Sequence, residues 1–90
     1  MVNDGAKAAL CGQGKSLLAV GVVEVHGTFH KGDVVSLCDV AGVEFARGLT
    51  NYSAEVTGQI MGLRTEKIGE LLGSIPYEEI VHRDNLVVTA

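Results

Sequence analysis

Leu10-Cys11-Gly12-Gln13-Gly14-Lys15-Ser16 closes on Gly-Lys-Ser, the ending of a phosphate-cradling loop, and its flanks decide what fold can surround it. A phosphate loop needs a glycine five positions before its second glycine, a strand leading in and a helix leading out. Backbone N–H groups and a helix N-terminus then converge on the anion. The earlier glycine position holds Ala9. The flanks are also reversed: residues 4–10 are Ala-rich behind a helix-start residue, Asp4, whereas 17–26 are rich in Val and Leu and read as a strand. A helix running into a strand turns its carbonyl end toward the glycines, the wrong pole for phosphate. The stretch therefore reads as a Gly-rich helix-to-strand turn.

Working outward, Ala6, Ala9 and Leu10 fall at helical spacing and Gly12 and Gly14 stop the helix. In 17–26, Val20, Val22 and Glu24 share one face and Val23 and Val25 the other. After a turn over 27–33, residues 34–38 and 43–49 form two strands joined by a turn at 39–42, short enough only for antiparallel pairing. The three strands then form a meander. Ser53 is expected to cap a helix carrying Val56 and Ile60 with Gly62 as its stop. Thr65 is expected to cap a second, carrying Ile68, Leu71 and Leu72 and ending at Gly73. Beyond Pro76, Asn85-Leu86-Val87-Val88 is a β-branched run that returns to the sheet. This order predicts an α+β, mainly β domain, or a mixed barrel whose last strand closes an edge.

Ninety residues with 47% hydrophobic and 4% aromatic content make one domain, set at residues 3–90, around an aliphatic core. A chain this size buries only about 60–65% of its unfolded surface. Seven basic against eleven acidic residues leave a net charge of −4, so the chain as a whole does not attract nucleic acid or an anionic membrane. Cys11 and Cys38 sit in apolar surroundings without a CxxC spacing and fit reduced, buried thiols of a cytoplasmic protein. No apolar run approaches the ~20 residues of a membrane span, and the N-terminus lacks a signal-peptide layout. The expected location is cytoplasmic, where the sequon Asn51-Tyr52-Ser53 goes unused.

His82-Arg83-Asp84 copies the opening of the protein-kinase catalytic loop, but its partners are missing: no Gly-rich loop over a strand, no Val-Ala-Ile-Lys lysine and no Asp-Phe-Gly. It reads as a charged lead-in to a strand. His26 and His30 are four apart but flank a Gly-Thr-Phe turn with no third ligand nearby, and read as surface histidines. Cys11, Ser16 and Ser53 have no activating context for nucleophilic catalysis. Of the basic residues, Lys7 on the first helix, Lys15 at its exit and Arg83 before the last strand meet on one face if that strand returns beside the first. There they are candidate contacts to RNA or phosphate.

Five blocks carry a resemblance. Gly14-Lys15-Ser16-Leu17-Leu18, Gly21-Val22-Val23-Glu24-Val25, Phe29-His30-Lys31-Gly32-Asp33-Val34-Val35, Phe45-Ala46-Arg47-Gly48-Leu49-Thr50-Asn51-Tyr52-Ser53 and His82-Arg83-Asp84-Asn85-Leu86-Val87 resemble, in order and at similar spacing, the C-terminal PUA domain of bacterial glutamate 5-kinase. Ala19 replaces an expected proline, and 63–70 match more loosely. The resemblance implies a PUA-like pseudo-barrel of mixed strands with short flanking helices. It implies a parent that phosphorylates the γ-carboxylate of glutamate, the first step of proline synthesis, in an amino-acid-kinase domain that holds ATP and magnesium and is absent from these residues. No catalytic, cofactor-binding or metal residue carries over. The chain is then expected to be an excised, non-catalytic module that regulates or assembles its parent, with that kinase domain or its oligomer as partner and no membrane. The alternative implied by other PUA domains is binding to structured RNA.

Overall fold

The computed structural model describes residues 1–74 and 76–89; the expected domain end, Ala90, lies outside them. Helix α1 spans Asp4–Gln13, so Gly12 is inside it and the stop is Gly14. Gly14 takes the left-handed conformation (φ 61°) and returns its N–H to the Ala9 carbonyl. The cap is Asn3 rather than Asp4: its side chain accepts the Ala6 amide at 2.8 Å. Asp4 occupies the first turn, where its charge complements the positive helix pole.

The expected strand over 17–26 is a correction. Only β1, Leu17–Leu18, is a strand, and a 3₁₀ turn over Ala19–Gly21 bends the chain away from it. Gly21 packs so closely on α1 that a Cβ there would stand 2.6 Å from the Ala6 methyl. The Ala19 carbonyl accepts both the Val22 amide, at 3.0 Å, and the Gly62 amide, at 2.7 Å. The Val-rich pattern is real, but a ladder needs neighbours, and here helix packing takes one side of the chain.

Strand β2 (Val34–Cys38) and strand β3 (Glu44–Leu49) pair antiparallel as expected. The helices that follow are α2 (Ala54–Ile60) and α3 (Thr65–Leu72), and the chain ends through β4 (Glu79–Val81) and β5 (Leu86–Val88). The meander is corrected: the sheets are β2-β3-β5 and β1-β4, antiparallel throughout. Among the described residues no ladder joins the two, which leaves the barrel open. Ser53 caps α2 as expected, accepting the Val56 amide. α3 is capped one residue earlier than expected, by Arg64, without a side-chain bond.

The core lies between the sheets and under the helices. Leu10, Leu17, Leu37, Phe45, Ile60, Ile68, Ile80 and Val81 are all buried in it. Phe45 is the largest of the fully buried side chains there and sits at a bulge, since Leu37 pairs with Ala46 but Cys38 with Glu44. The bulge turns both Phe45 and Ala46 inward and leaves Arg47 and Leu49 outside.

Candidate functional site

Two surfaces stand out. The first is the exit of α1. Arg83 lies in a 3₁₀ turn, Arg83–Asn85, between β4 and β5, and its amide donates to the Ser16 hydroxyl at 2.8 Å. The pairing of β1 with β4 makes this contact, so Lys15 and Arg83, both exposed, flank one junction. The last strand itself returns beside β3, not beside the first strand. Lys7 is engaged elsewhere: its Nζ lies 3.1 Å from Asp39 Oδ2 and 5.6 Å over the Phe45 ring. Gly-Lys-Ser is here the C-terminal end of a helix, with amides pointing back to Ala9, and not a phosphate cradle.

The second surface is the outer face of the three-stranded sheet, which sequence reasoning passed over. Val34 stands opposite Leu49, and Ser36 opposite Arg47, which faces Val87. Val34 and Val87 are each 66% exposed and Leu49 41%. At the other end of the ladder from Val34 and Leu49, Glu44 accepts from the Ser36 hydroxyl at 2.7 Å, Arg47 Nε at 2.7 Å and the Thr89 hydroxyl at 3.0 Å. The face carries exposed apolar side chains beside an ordered ion pair. Its sequence signal was the alternation of Val34, Ser36 and Cys38 with Val35 and Leu37, which marks an outward side without saying what covers it.

Arg47, then Ser36 and Thr89, hold the Glu44 carboxyl below its ordinary range, and Glu44 in turn raises Arg47. Asp39 is lowered likewise, first by the Val43 amide and next by Lys7. Its Oδ1 also accepts the Ala41 amide, closing the β2–β3 turn. Both groups bind protons more weakly folded than unfolded. Their contribution is therefore complete above the unfolded carboxylate range, and it is lost as pH falls through the folded values, below about pH 5. The urea midpoint is expected to hold from neutral pH to that point and then fall. It should fall less steeply in an Asp39→Asn, Glu44→Gln double variant; identical slopes would exclude these two carboxylates from the acid response.

The remaining motifs resolve into local structure. The His82 ring Nδ1 accepts the Asp84 amide at 3.1 Å, a turn cap. His26 Nε2 lies 3.3 Å from Glu24 and His30 Nδ1 3.8 Å from Asp33, on separate partners. Cys11 and Cys38 are free thiols, but the expected burial is corrected: Cys11, on the outer side of α1, is exposed and Cys38, at the end of the edge strand β2, is half-buried. Among the described residues, no group of three or more His, Cys, Asp or Glu side chains stands ready for a metal, and no helix is long and apolar enough to cross a membrane.

An open barrel of short antiparallel strands and three helices, with its polar chemistry spread over exposed faces, defines the class: a small α+β module that presents surfaces. The model of the PUA domain matches residues 1–72, and the chain belongs to that family. It is 53% identical to the glutamate 5-kinase of Moorella thermoacetica over 97% of this chain and 23% of that relative. Identity is 51% to the glutamate 5-kinase of Dictyoglomus turgidum (98% and 24%) and 51% to that of Bordetella pertussis (99% and 24%). The chain thus spans about a quarter of the length of the curated relatives it matches.

Proposed function

We propose that this chain is the PUA module of a glutamate 5-kinase, a protein that makes L-glutamyl 5-phosphate from ATP and glutamate. Its work there is regulation or assembly rather than chemistry. The observation that carries this reading is the end-to-end match of the chain to a quarter of proteins named for that kinase activity. The surface that fits the role is the outer sheet face, where Val34, Leu49 and Val87 expose apolar area beside the Arg47–Glu44 pair. Docked on the kinase part in one conformation more than another, this face shifts the balance between them. In a full-length kinase of this kind, Arg47→Glu with Val87→Asp is expected to change proline sensitivity or the oligomer distribution by at least about fivefold. The same double variant of the 90-residue chain should stay folded. Unchanged inhibition and unchanged assembly would overturn the reading.

One contact favours a second reading. The Ser16–Arg83 bond sets Lys15 and Arg83 on a shared edge, two exposed cations of the kind that suit RNA backbone phosphates. Labelled structured RNA, titrated at low and at physiological salt, is expected to bind in a salt-dependent way and to lose binding in Lys15→Glu, Arg83→Glu. Flat titrations remove this reading. Lys7, the third candidate, is tied to Asp39, and its Glu variant tests the stability of that link more than RNA contact.

A further inference from the structure

β5 is an edge strand, with β3 on one side. The Thr89 amide donates to the Phe45 carbonyl at 2.9 Å, and the same register pairs Val87 with Arg47 and Val88 with Ala46. Alternate residues of an antiparallel strand turn both polar groups to the same neighbour, so Val87 and Thr89 turn theirs to β3 while Leu86 and Val88 turn theirs outward. The Leu86 amide is met by the Arg83 carbonyl. The Leu86 carbonyl and both backbone groups of Val88 have no backbone partner among the described residues. Such a row is a template for another strand.

Exposed edges are ordinarily blunted by a charge, a proline or a bulge. β5 is short, yet Asn85-Leu86-Val87-Val88-Thr89 carries neither charge nor proline, and its ladder runs without a shift in register. Val87 is 66% exposed and Val88 42%. The stretch is also a palindrome of character about Val87. Laid against a reversed copy of itself, Asn85 meets Thr89, Leu86 meets Val88 and Val87 meets Val87, polar on polar and apolar on apolar. A neutral edge suits self-association in a chain of net charge −4, whose acidic faces repel one another.

We propose that β5 is the edge by which two copies of this chain join, antiparallel about a twofold axis at Val87, into one six-stranded sheet. Each Val88 amide donates to the partner's Leu86 carbonyl. Val87 stands opposite the partner's Val87 in a non-hydrogen-bonded position, where Cα atoms lie about 4.5 Å apart and side chains touch. Sliding the partner by two residues either way sets Val87 against Asn85 or Thr89, so the side chains fix the register. The two Arg47 positions, one strand further out on each side, are about 14 Å apart at the ordinary strand spacing, beyond the screening length of about 8 Å. Each Arg47 keeps its own Glu44 at 2.7 Å. The occupant is a second copy because a copy brings the same neutral palindrome with the same free backbone groups. The pairing leaves the outer face of the sheet open and doubles it, and it stands whether or not the kinase reading does.

Sedimentation of the 90-residue chain from about 10 μM to about 1 mM is expected to show monomer passing to dimer, weakly, because so short an edge buries less than a standard interface. Over that range hydrogen exchange of the Val88 amide is expected to slow at least about threefold, while that of the Ser36 amide on β2 holds. Val87→Lys and Val87→Glu each set like charges face to face and are expected to weaken the dimer at least about tenfold. An equimolar mixture of the two variants is expected to restore it, which a misfolded variant could not do. A chain that stays monomeric at about 1 mM overturns the proposal. So does slowing at Ser36 in place of Val88, which assigns the contact to the β2 edge, and so does a mixture no better joined than its parts.

Discussion

Replacing Gly48 with alanine is expected to destabilise the protein by about 3 kcal/mol, and replacing it with valine to abolish the native state. Gly48 is in the central strand of its sheet, opposite Val35 on β2 and Leu86 on β5. A Cβ at this position would press on Val81 Cγ1 and stand 2.8 Å from the Asn85 carbonyl oxygen and 3.4 Å from Leu86 Cα. Val81 is fully buried in β4, and the Asn85 oxygen belongs to the backbone of the turn that joins β4 to β5. Neither can step aside without parting the two sheets. Strand propensity argues the reverse, since glycine within a strand is unfavourable, so the sign of the effect separates the two arguments. Gly58 supplies the control: it is exposed within α2 and a Cβ there meets nothing within 4 Å. Gly58→Ala is expected to stabilise by about 0.5–1 kcal/mol. Urea midpoints of the three proteins decide the matter, and a Gly48→Ala variant within about 0.5 kcal/mol of the parent would falsify the packing account.

Legibility in the sequence followed how local the cause was. The Asp39 turn, the Ser53 cap and the glycines at the ends of α1 and α3 depend on a few neighbouring residues, and their elements stand close to where the pattern put them. The 17–26 strand failed because its fate depends on distant partners: α1 packing on Gly21, and Gly62 binding the Ala19 carbonyl. β4 was missed because Glu79-Ile80-Val81 is too short to show a period, and it is a strand only through β1. The outer sheet face was hidden for a third reason. Strict alternation puts Phe45 on the side of Arg47 and Leu49, and only the bulge at Phe45 resets the phase. Of the basic candidates, the junction of Lys15 and Arg83 depends on β1–β4 pairing, which no spacing announces. The resemblance reached further than periodicity because five blocks in order encode long-range pairing that no single window contains.

The other large effect is expected at Tyr52, where Tyr52→Ala is expected to cost about 3–5 kcal/mol and Tyr52→Phe about 1–3 kcal/mol. Tyr52 follows β3 and is almost wholly buried. Its hydroxyl donates to the Tyr77 carbonyl and accepts the Tyr77 amide at 3.2 Å. The two rings meet edge to face, with centroids 5.9 Å apart, and Lys31 Nζ lies 4.5 Å over the Tyr77 ring. Beside it the Asn51 amide donates to the Ile80 carbonyl at 2.8 Å and its side chain to the Glu79 carbonyl at 3.1 Å. This clasp seats β4, and β4 holds β1 and the turn that carries Arg83. Phenylalanine keeps the ring and leaves two backbone groups of Tyr77 without their partner, so its cost isolates the hydroxyl. Lys31→Ala removes only an exposed cation over a ring and is expected to cost about 0.5–1 kcal/mol. If the clasp works as described, Tyr52→Phe also speeds hydrogen exchange at Tyr77 and Arg83 while leaving β2 unchanged. Uniform acceleration across the chain would mean that Tyr52 supports the whole core and that β4 needs no clasp of its own.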